Sequence, residues 1–203
     1  VSPGGQVYAY EANPELIPVI ERNVAAAGLT GMVEIHQQGV WGYDGVLPFP
    51  IRSRSLGGAG LKPKTRNPYR RFRNSRKIKR YENVEVLTLE SMCRDREIDL
   101  IRMDVEGAEL EAVRGSQEFL RSSAASIILE WIPRRNNRKD ALELFGLLTA
   151  VGYQVYRIAP EGLRRIASAE AFHSQHAELW HAGHCDVLCS KSRFPEDQLD
   201  WRE

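Results

Sequence analysis

The sequence predicts an α/β fold in which crossover helices connect the strands of a mainly parallel β-sheet. Two observations predict it. Strand-like and amphipathic helical segments alternate along the chain, which is typical of a parallel sheet. In addition, residues 99–109 form a short apolar run that ends in acidic residues and a glycine, as expected for a buried strand leading into a helix. A chain of 203 residues is large enough to bury a core in one domain.

The predicted elements follow the hydrophobic periodicity. The predicted strands are short and apolar, and they cover residues 6–11, 32–36, 83–89, 98–105, 126–131, 153–158 and 186–190. Asn13 and Pro14 are a favourable N-cap and first helical residue, and Gly28 is a favourable stop, which predicts the first helix. Two further helices are predicted over residues 108–121 and 139–151, with Leu110, Val113 and Leu120 facing inward.

Residues 45–82 interrupt this alternation with proline, glycine and arginine, and we interpret them as an insertion containing a hairpin. The insertion lies within a predicted domain of residues 1–193, which a polar tail of residues 194–203 follows. Residues 62–81 contain ten basic and no acidic side chains, which leaves 18 basic against 27 acidic residues elsewhere. Three interpretations stay open: a solvated loop of mutually repelling charges, a lid that attracts an anionic acceptor, or a nucleic-acid contact.

Composition argues against several other classes. The three cysteines are odd in number, which favours a reducing compartment, the cytoplasm, over a disulfide scaffold. No apolar run approaches the roughly 20 residues that a membrane span requires. His181, His184, Cys185 and Cys189 are close in sequence, but Cys185 and Cys189 are about 13 Å apart on a predicted strand, too far to share one zinc ion. We therefore predict no metal site.

Acidic residues at the carboxyl ends of predicted strands are the candidate site, because ligands of open α/β sheets bind there. Glu11 ends the first strand, where a carboxylate can accept the hydroxyls of a ribose. Asp104 and Glu106 end a later strand, and in extended geometry both would point to one side, about 6–7 Å apart. Glu106 and Glu109 could instead complement the dipole of the following helix. Glu130 ends the next strand, where it either lines a pocket or makes a structural hydrogen bond.

Three segments together resemble the FkbM family of S-adenosylmethionine-dependent methyltransferases. They are Val-Tyr-Ala-Tyr-Glu-Ala-Asn-Pro at 7–14, Leu-Ile-Arg-Met-Asp-Val-Glu-Gly-Ala-Glu at 100–109 and Ile-Ile-Leu-Glu at 127–130. The resemblance runs from about residue 4 to 190, interrupted by the insertion. It implies the Rossmann-like class I methyltransferase fold, with one antiparallel strand in a seven-stranded sheet. It also implies methylation of hydroxyl groups on small molecules or sugars.

The resemblance further implies S-adenosylmethionine as the cofactor and assigns residues to its parts. Gln38, Gly39 and Val40 would lie beside the adenine, where Gly39 permits close approach, although an ordinary turn there stays open. Asp104 and Glu106 would lie near the transferred methyl group, and Glu130 would line the acceptor pocket. Arg102 stands where the family usually has lysine and is given no role.

Family members begin with a strand and a glycine-rich loop that hold the methionine part of the cofactor, and this sequence contains no counterpart. The missing strand is central in the family, so its absence would leave a gap of about 10 Å and unpaired backbone groups. We therefore expect this sequence to be a fragment that lacks roughly 30 or more upstream residues. Residues 1–203 alone are then expected to methylate weakly. A non-catalytic nucleic-acid-binding module on the same fold, carried by residues 62–81, stays open as the alternative.

Overall fold

A computed structural model of the chain describes residues 4–52, 78–131, 138–160, 162–178, 185–192 and 194. Backbone contacts group the chain into two compact units, which divide between Thr88 and Leu89. Most of the basic segment and nearly all of the predicted polar tail lie outside the described residues. In the part of the chain that is described, every helix is too short or too polar to cross a lipid bilayer.

The first unit contains the predicted strand–helix–strand crossover, followed by a second small sheet. Its elements are β1 (Val7–Tyr10), α1 (Ile17–Ala26), β2 (Val33–His36), β3 (Gly39–Val40), β4 (Gly45–Arg52) and β5 (Ile78–Leu87). β1 and β2 pair in parallel, with Val7 opposite Val33 and Tyr10 opposite His36. Gly28 has a φ of +70° two residues beyond α1, as its assignment as the helix stop predicts.

The start of α1 differs from the prediction, which placed the N-cap at Asn13. The Asn13 side-chain oxygen accepts a hydrogen bond from the Glu15 N–H at 3.0 Å, and its carbonyl accepts one from the Leu16 N–H at 3.0 Å. These bonds close a turn, and the helix begins at Ile17 with Pro18 in its first turn. A proline at that position already has a helical φ. Pro18 therefore marks the start of α1, whereas Pro14 lies in the turn before it.

The predicted hairpin is present within residues 45–82. β4 and β5 pair antiparallel from Gly45 opposite Val86 to Arg52 opposite Ile78, with an irregularity at its open end. β3 pairs in parallel with the other edge of β5. One face of this sheet is buried, through Phe49, Ile51, Val84 and Val86. This burial stabilises the pairing of β4, which contains two prolines.

The second unit is built on a five-stranded sheet with helices between its strands. Its elements are α2 (Leu89–Cys93), β6 (Leu100–Met103), α3 (Glu109–Gly115), α4 (Gln117–Ser122), β7 (Ser126–Trp131), α5 (Arg138–Ala150), β8 (Gln154–Ala159), β9 (Gly162–Arg165), α6 (Ala169–Glu178) and β10 (Cys185–Ser190). The strand order is β6-β7-β10-β8-β9. β6 and β7 are parallel, whereas β10 is antiparallel to both of its neighbours.

The core of this unit contains buried residues from both its strands and its helices. Ile127, Leu129, Val187 and Cys189 are fully buried on the strands. The helices contribute Leu110, Val113, Leu120, Leu144 and Leu148, which are all at most 3% exposed. The inward-facing side chains predicted for residues 108–121 are therefore confirmed.

The helix predicted over residues 108–121 is broken at Ser116. Ser116 has non-helical dihedrals, with φ −123° and ψ 27°, and its hydroxyl accepts a hydrogen bond from the Leu89 N–H at 3.0 Å. Ser116 thus caps the start of α2, and it separates α3 from α4 within the region predicted as one helix. β9 and α6 are further elements that the sequence pattern did not predict.

Candidate active site

Glu11 directly follows β1 and is held at the strand end by backbone contacts. Its N–H donates to the His36 carbonyl of β2 at 3.0 Å. Its carboxylate accepts a hydrogen bond from the Asn13 N–H at 2.6 Å. Burial raises the pKa of the Glu11 carboxyl, and the backbone N–H groups of Asn13 and Ala12 partly oppose that rise. Glu11 is therefore an oriented, half-buried acceptor at the place where the sequence predicts a ribose site.

Gly39 and Val40 form the buried strand β3 instead of an ordinary turn. They pair with Val86 and Leu87 of β5, and both are buried. The Gln38 side-chain amide donates to the Glu85 carboxylate of the same sheet at 2.6 Å. All three residues for which adenine contacts are predicted are thus held by the sheet that contains β5.

Tyr10 and His36 form a stacked pair that sequence reasoning missed. Their ring centroids are 4.7 Å apart with an interplanar angle of 13°, because the parallel register places these strand-terminal residues opposite each other. His36 Nε2 lies 2.9 Å from Glu34 Oε1. The two groups are within ion-pairing distance, although Nε2 has no aligned hydrogen-bond partner among the described residues. Tyr10 and His36 are the last residues of β1 and β2, and this shared position was the sequence signal that could have indicated the pair.

The backbone beyond β6 turns sharply, so the geometry predicted for Asp104 and Glu106 is wrong. β6 ends at Met103 and Asp104 is exposed. Glu106 has a φ of +54° and Gly107 a φ of +101°. A left-handed residue points its side chain in a different direction from an extended one, and the same-side, 6–7 Å spacing does not apply.

Glu109 is the third acidic residue after β6 and the first residue of α3, and it is buried. The residue is only 3% exposed, and its Oε1 accepts a hydrogen bond from the Gly107 N–H at 3.1 Å. Glu109 is also the first residue of α3, so the alternative that it complements the dipole of that helix stays open. Its hydrogen bond to Gly107 makes it in addition an internal partner of the turn that carries Glu106.

A polar cluster lies on β6, β7 and β10 and just beyond the end of β6. It contains Arg102, Asp104, Glu130 and Asp186. Arg102 Nη1 lies 2.7 Å from Asp186 Oδ1, reaching across β7, whose Glu130 is the register partner of Asp186. The hydrogen bond to Asp186 raises the pKa of Arg102 against the effect of burial, and the charges of Asp186, Asp104 and Glu130 raise it further. The structure thus joins Asp104 to Glu130 through Arg102, to which the sequence assigned no role, and through Asp186, which it missed.

The described residues contain no group of three or more His, Cys, Asp or Glu placed to hold a metal ion. His181 and His184, from the sequence cluster, lie outside the described residues. Cys189 is fully buried, and burial raises its pKa to about 12. Its thiol is therefore packed in the core and protonated at neutral pH.

Comparison with known proteins gives one consistent result. The family model described as the methyltransferase FkbM domain matches residues 1–155. Methyltransferase sdnD of Sordaria araneosa is 26% identical, over 64% of this chain and 59% of that protein. The crystal structure of methyltransferase FkbM from Methylobacillus flagellatus KT matches with a TM-score of 0.50 at 13% identity, over 91% of this chain and 36% of that one. This structural likeness confirms the predicted α/β fold, and the chain spans about three-fifths of the curated relative's length.

Proposed function

Because this chain belongs to the FkbM methyltransferase family, we propose that it transfers a methyl group from S-adenosylmethionine to a hydroxyl oxygen of a small molecule or sugar. The observation that carries this proposal is the oriented, half-buried carboxylate of Glu11 at the end of β1. A carboxylate in that position of an α/β sheet accepts the hydroxyl groups of a ribose.

The hydrogen-bond acceptors of the Glu11 carboxylate fit the adenosine end of the cofactor. A ribose diol offers two O–H donors, and an ionised carboxylate has four lone-pair sites, of which the Asn13 and Ala12 N–H groups use two. These backbone bonds fix the carboxylate before a ligand arrives, which reduces the ordering cost of binding. We assign the adenine contacts to Gln38, Gly39 and Val40, which β3 and β5 hold in place.

We assign the methyl end to the residues that follow β6. When bound, the cofactor supplies a methyl carbon that accepts an electron pair from oxygen as its bond to sulfur breaks. The acceptor hydroxyl must also lose its proton, and a carboxylate can receive that proton or orient the hydroxyl. Asp104 and Glu106 are the candidates for this role, and Glu130 is the candidate for holding the acceptor. Arg102 keeps Asp186 and the neighbouring carboxylates in one fixed cluster.

The test is a calorimetric titration with S-adenosylhomocysteine, the demethylated product of the cofactor, on the protein expressed from its native reading frame. We expect Glu11→Ala to weaken binding by about tenfold or more, because charge-assisted hydrogen bonds to the ribose are lost. Glu21→Ala is the matched control, since Glu21 is an exposed glutamate of α1 in the same unit. Absence of binding by the wild type, or equal binding by Glu11→Ala, would contradict the proposal.

A nucleic-acid-binding module without methyl transfer is the second candidate. The observation that favours it is the run of ten basic side chains in residues 62–81. Each phosphate contact would release counterions, so binding would weaken steeply with salt. Titration with DNA and RNA at two salt concentrations separates the candidates: tight, salt-sensitive binding without heat from S-adenosylhomocysteine favours the module.

A further inference from the structure

Two glutamates after β6 are in settings that glutamate rarely adopts. Glu106 has an unusual backbone conformation, and Glu109, three residues later, is buried. Glu106 adopts a left-handed conformation, which costs a residue other than glycine about 1–2 kcal/mol. Glu109 is a carboxylate that is only 3% exposed, and burying such a group is unfavourable without a hydrogen-bonding partner. Strain of this kind concentrates at functional sites, where the surrounding structure maintains it.

One hydrogen bond links the two departures. Glu109 Oε1 accepts the Gly107 N–H at 3.1 Å. That N–H belongs to the peptide plane between Glu106 and Gly107, whose orientation is set by ψ of the first residue and φ of the second. Fixing the N–H direction therefore fixes the backbone on both sides of the plane. The Ala108 N–H bonds to the Val105 carbonyl at 3.2 Å and closes the same turn.

The support for this arrangement is rigid. Ala108 is 1% exposed and Leu110 is 3% exposed, so the start of α3 is packed into the core of the second unit. Glu109 is anchored between these two residues and has little freedom to move. The buried carboxylate thus connects the core to the Glu106–Gly107 peptide through its hydrogen bond to the Gly107 N–H.

We propose that Glu109 is a positioning residue, which holds the Glu106–Gly107 peptide so that the Glu106 carboxylate faces the positively charged methyl end of the cofactor. The inference rests on the proposed function and deepens it. It implies that the protein prefers a ligand with a positive charge at that position over a neutral one, and that this preference depends on Glu109 as well as on Glu106.

The test compares two ligands that differ in that charge, on the protein expressed from its native reading frame. Sinefungin has a protonated amine in place of the sulfonium methyl group, and S-adenosylhomocysteine has a neutral thioether. We expect the wild type to bind sinefungin more tightly, and Glu106→Gln to reduce the affinity ratio about tenfold. Glu109→Ala should reduce the ratio to a similar extent although Glu106 is present. Glu109→Gln should restore it, since its amide oxygen can still accept the Gly107 N–H.

Gly107→Ala changes the same peptide through Gly107 instead of through Glu109. It is the second variant, to be used if Glu109→Ala fails to fold. An added Cβ at Gly107 meets nothing within 4 Å, so this substitution acts only through the φ of +101°, and we expect it to lower the ratio too. A wild-type ratio in folded Glu109→Ala and Gly107→Ala overturns the inference and leaves the proposed function intact. A wild type that binds neither ligand overturns both.

Discussion

Two regions of the molecule, β1 with α1 in the first unit and the sheet of the second unit, differ in how deeply their residues are buried. α1 has no buried residue, and all four residues of β1 are only half-buried. In the second unit, by contrast, Ile127, Leu129 and Val187 are fully buried. Glu11, the residue proposed to bind the ribose, thus lies in a region with little buried apolar area, whereas the turn carrying Glu106 packs on a buried core. Regions with few buried contacts open at low free energy, so a ligand should order the first region most.

The largest expected effect comes from truncating the core of the second unit. Leu129→Ala should reduce the free energy of unfolding by about 2–5 kcal/mol, because it leaves a cavity at a fully buried position. Ile20→Ala in α1 should have a clearly smaller effect, since Ile20 is only half-buried. Urea unfolding of both variants measures the difference. Equal losses would remove the contrast between the two regions.

A smaller effect is expected from Tyr153→Phe. The Tyr153 hydroxyl donates to the Ala125 carbonyl at 2.9 Å, and burial raises the pKa of Tyr153 to about 12. Removing the hydroxyl leaves a buried carbonyl without this donor and should cost about 1–3 kcal/mol in thermal or urea unfolding. Tyr81→Phe is the control, because Tyr81 is 62% exposed and should unfold like the wild type. If Tyr153→Phe unfolds like the wild type, a water molecule replaces the hydrogen bond to the Ala125 carbonyl.

The smallest effect concerns Glu11 and pH. Its pKa is raised in the folded state above the ordinary 4.5, so the folded protein binds more protons than the unfolded one in the window above pH 4.5. Stability therefore falls as pH rises through that window. Glu11→Gln should be slightly more stable than the wild type at pH 7, and this gain should vanish near pH 4, in melting curves at both pH values. A loss of stability in Glu11→Gln at pH 7 would argue against the burial cost.

Features with a local signal could be predicted from the sequence. Apolar runs predicted the strand found at Ser126–Trp131, and the rule of acids at strand ends selected Glu11, Asp104 and Glu130. β9 was missed because Gly162–Arg165 lacks an apolar run and is a strand through its pairing with β8. The break at Ser116 was missed because its hydrogen-bond partner, Leu89, is 27 residues away in the chain.

The parts of the site that could not be predicted depend on tertiary contacts or on backbone conformation. Arg102 and Asp186 are 84 residues apart, and only the placement of β10 beside β7 brings them together. The glycine at 107 signals a turn, but nothing in the sequence indicates that Glu106 is itself left-handed. A buried Glu109 likewise contradicts the general preference of glutamate for the surface.

The central proposal is that Glu11 binds the ribose of an adenosine-containing cofactor. Hydrogen exchange with and without S-adenosylhomocysteine tests it most directly, because the method reports each backbone segment separately. We predict slower exchange in residues 8–13 when the ligand is present. Unchanged exchange in residues 8–13 would contradict the proposal.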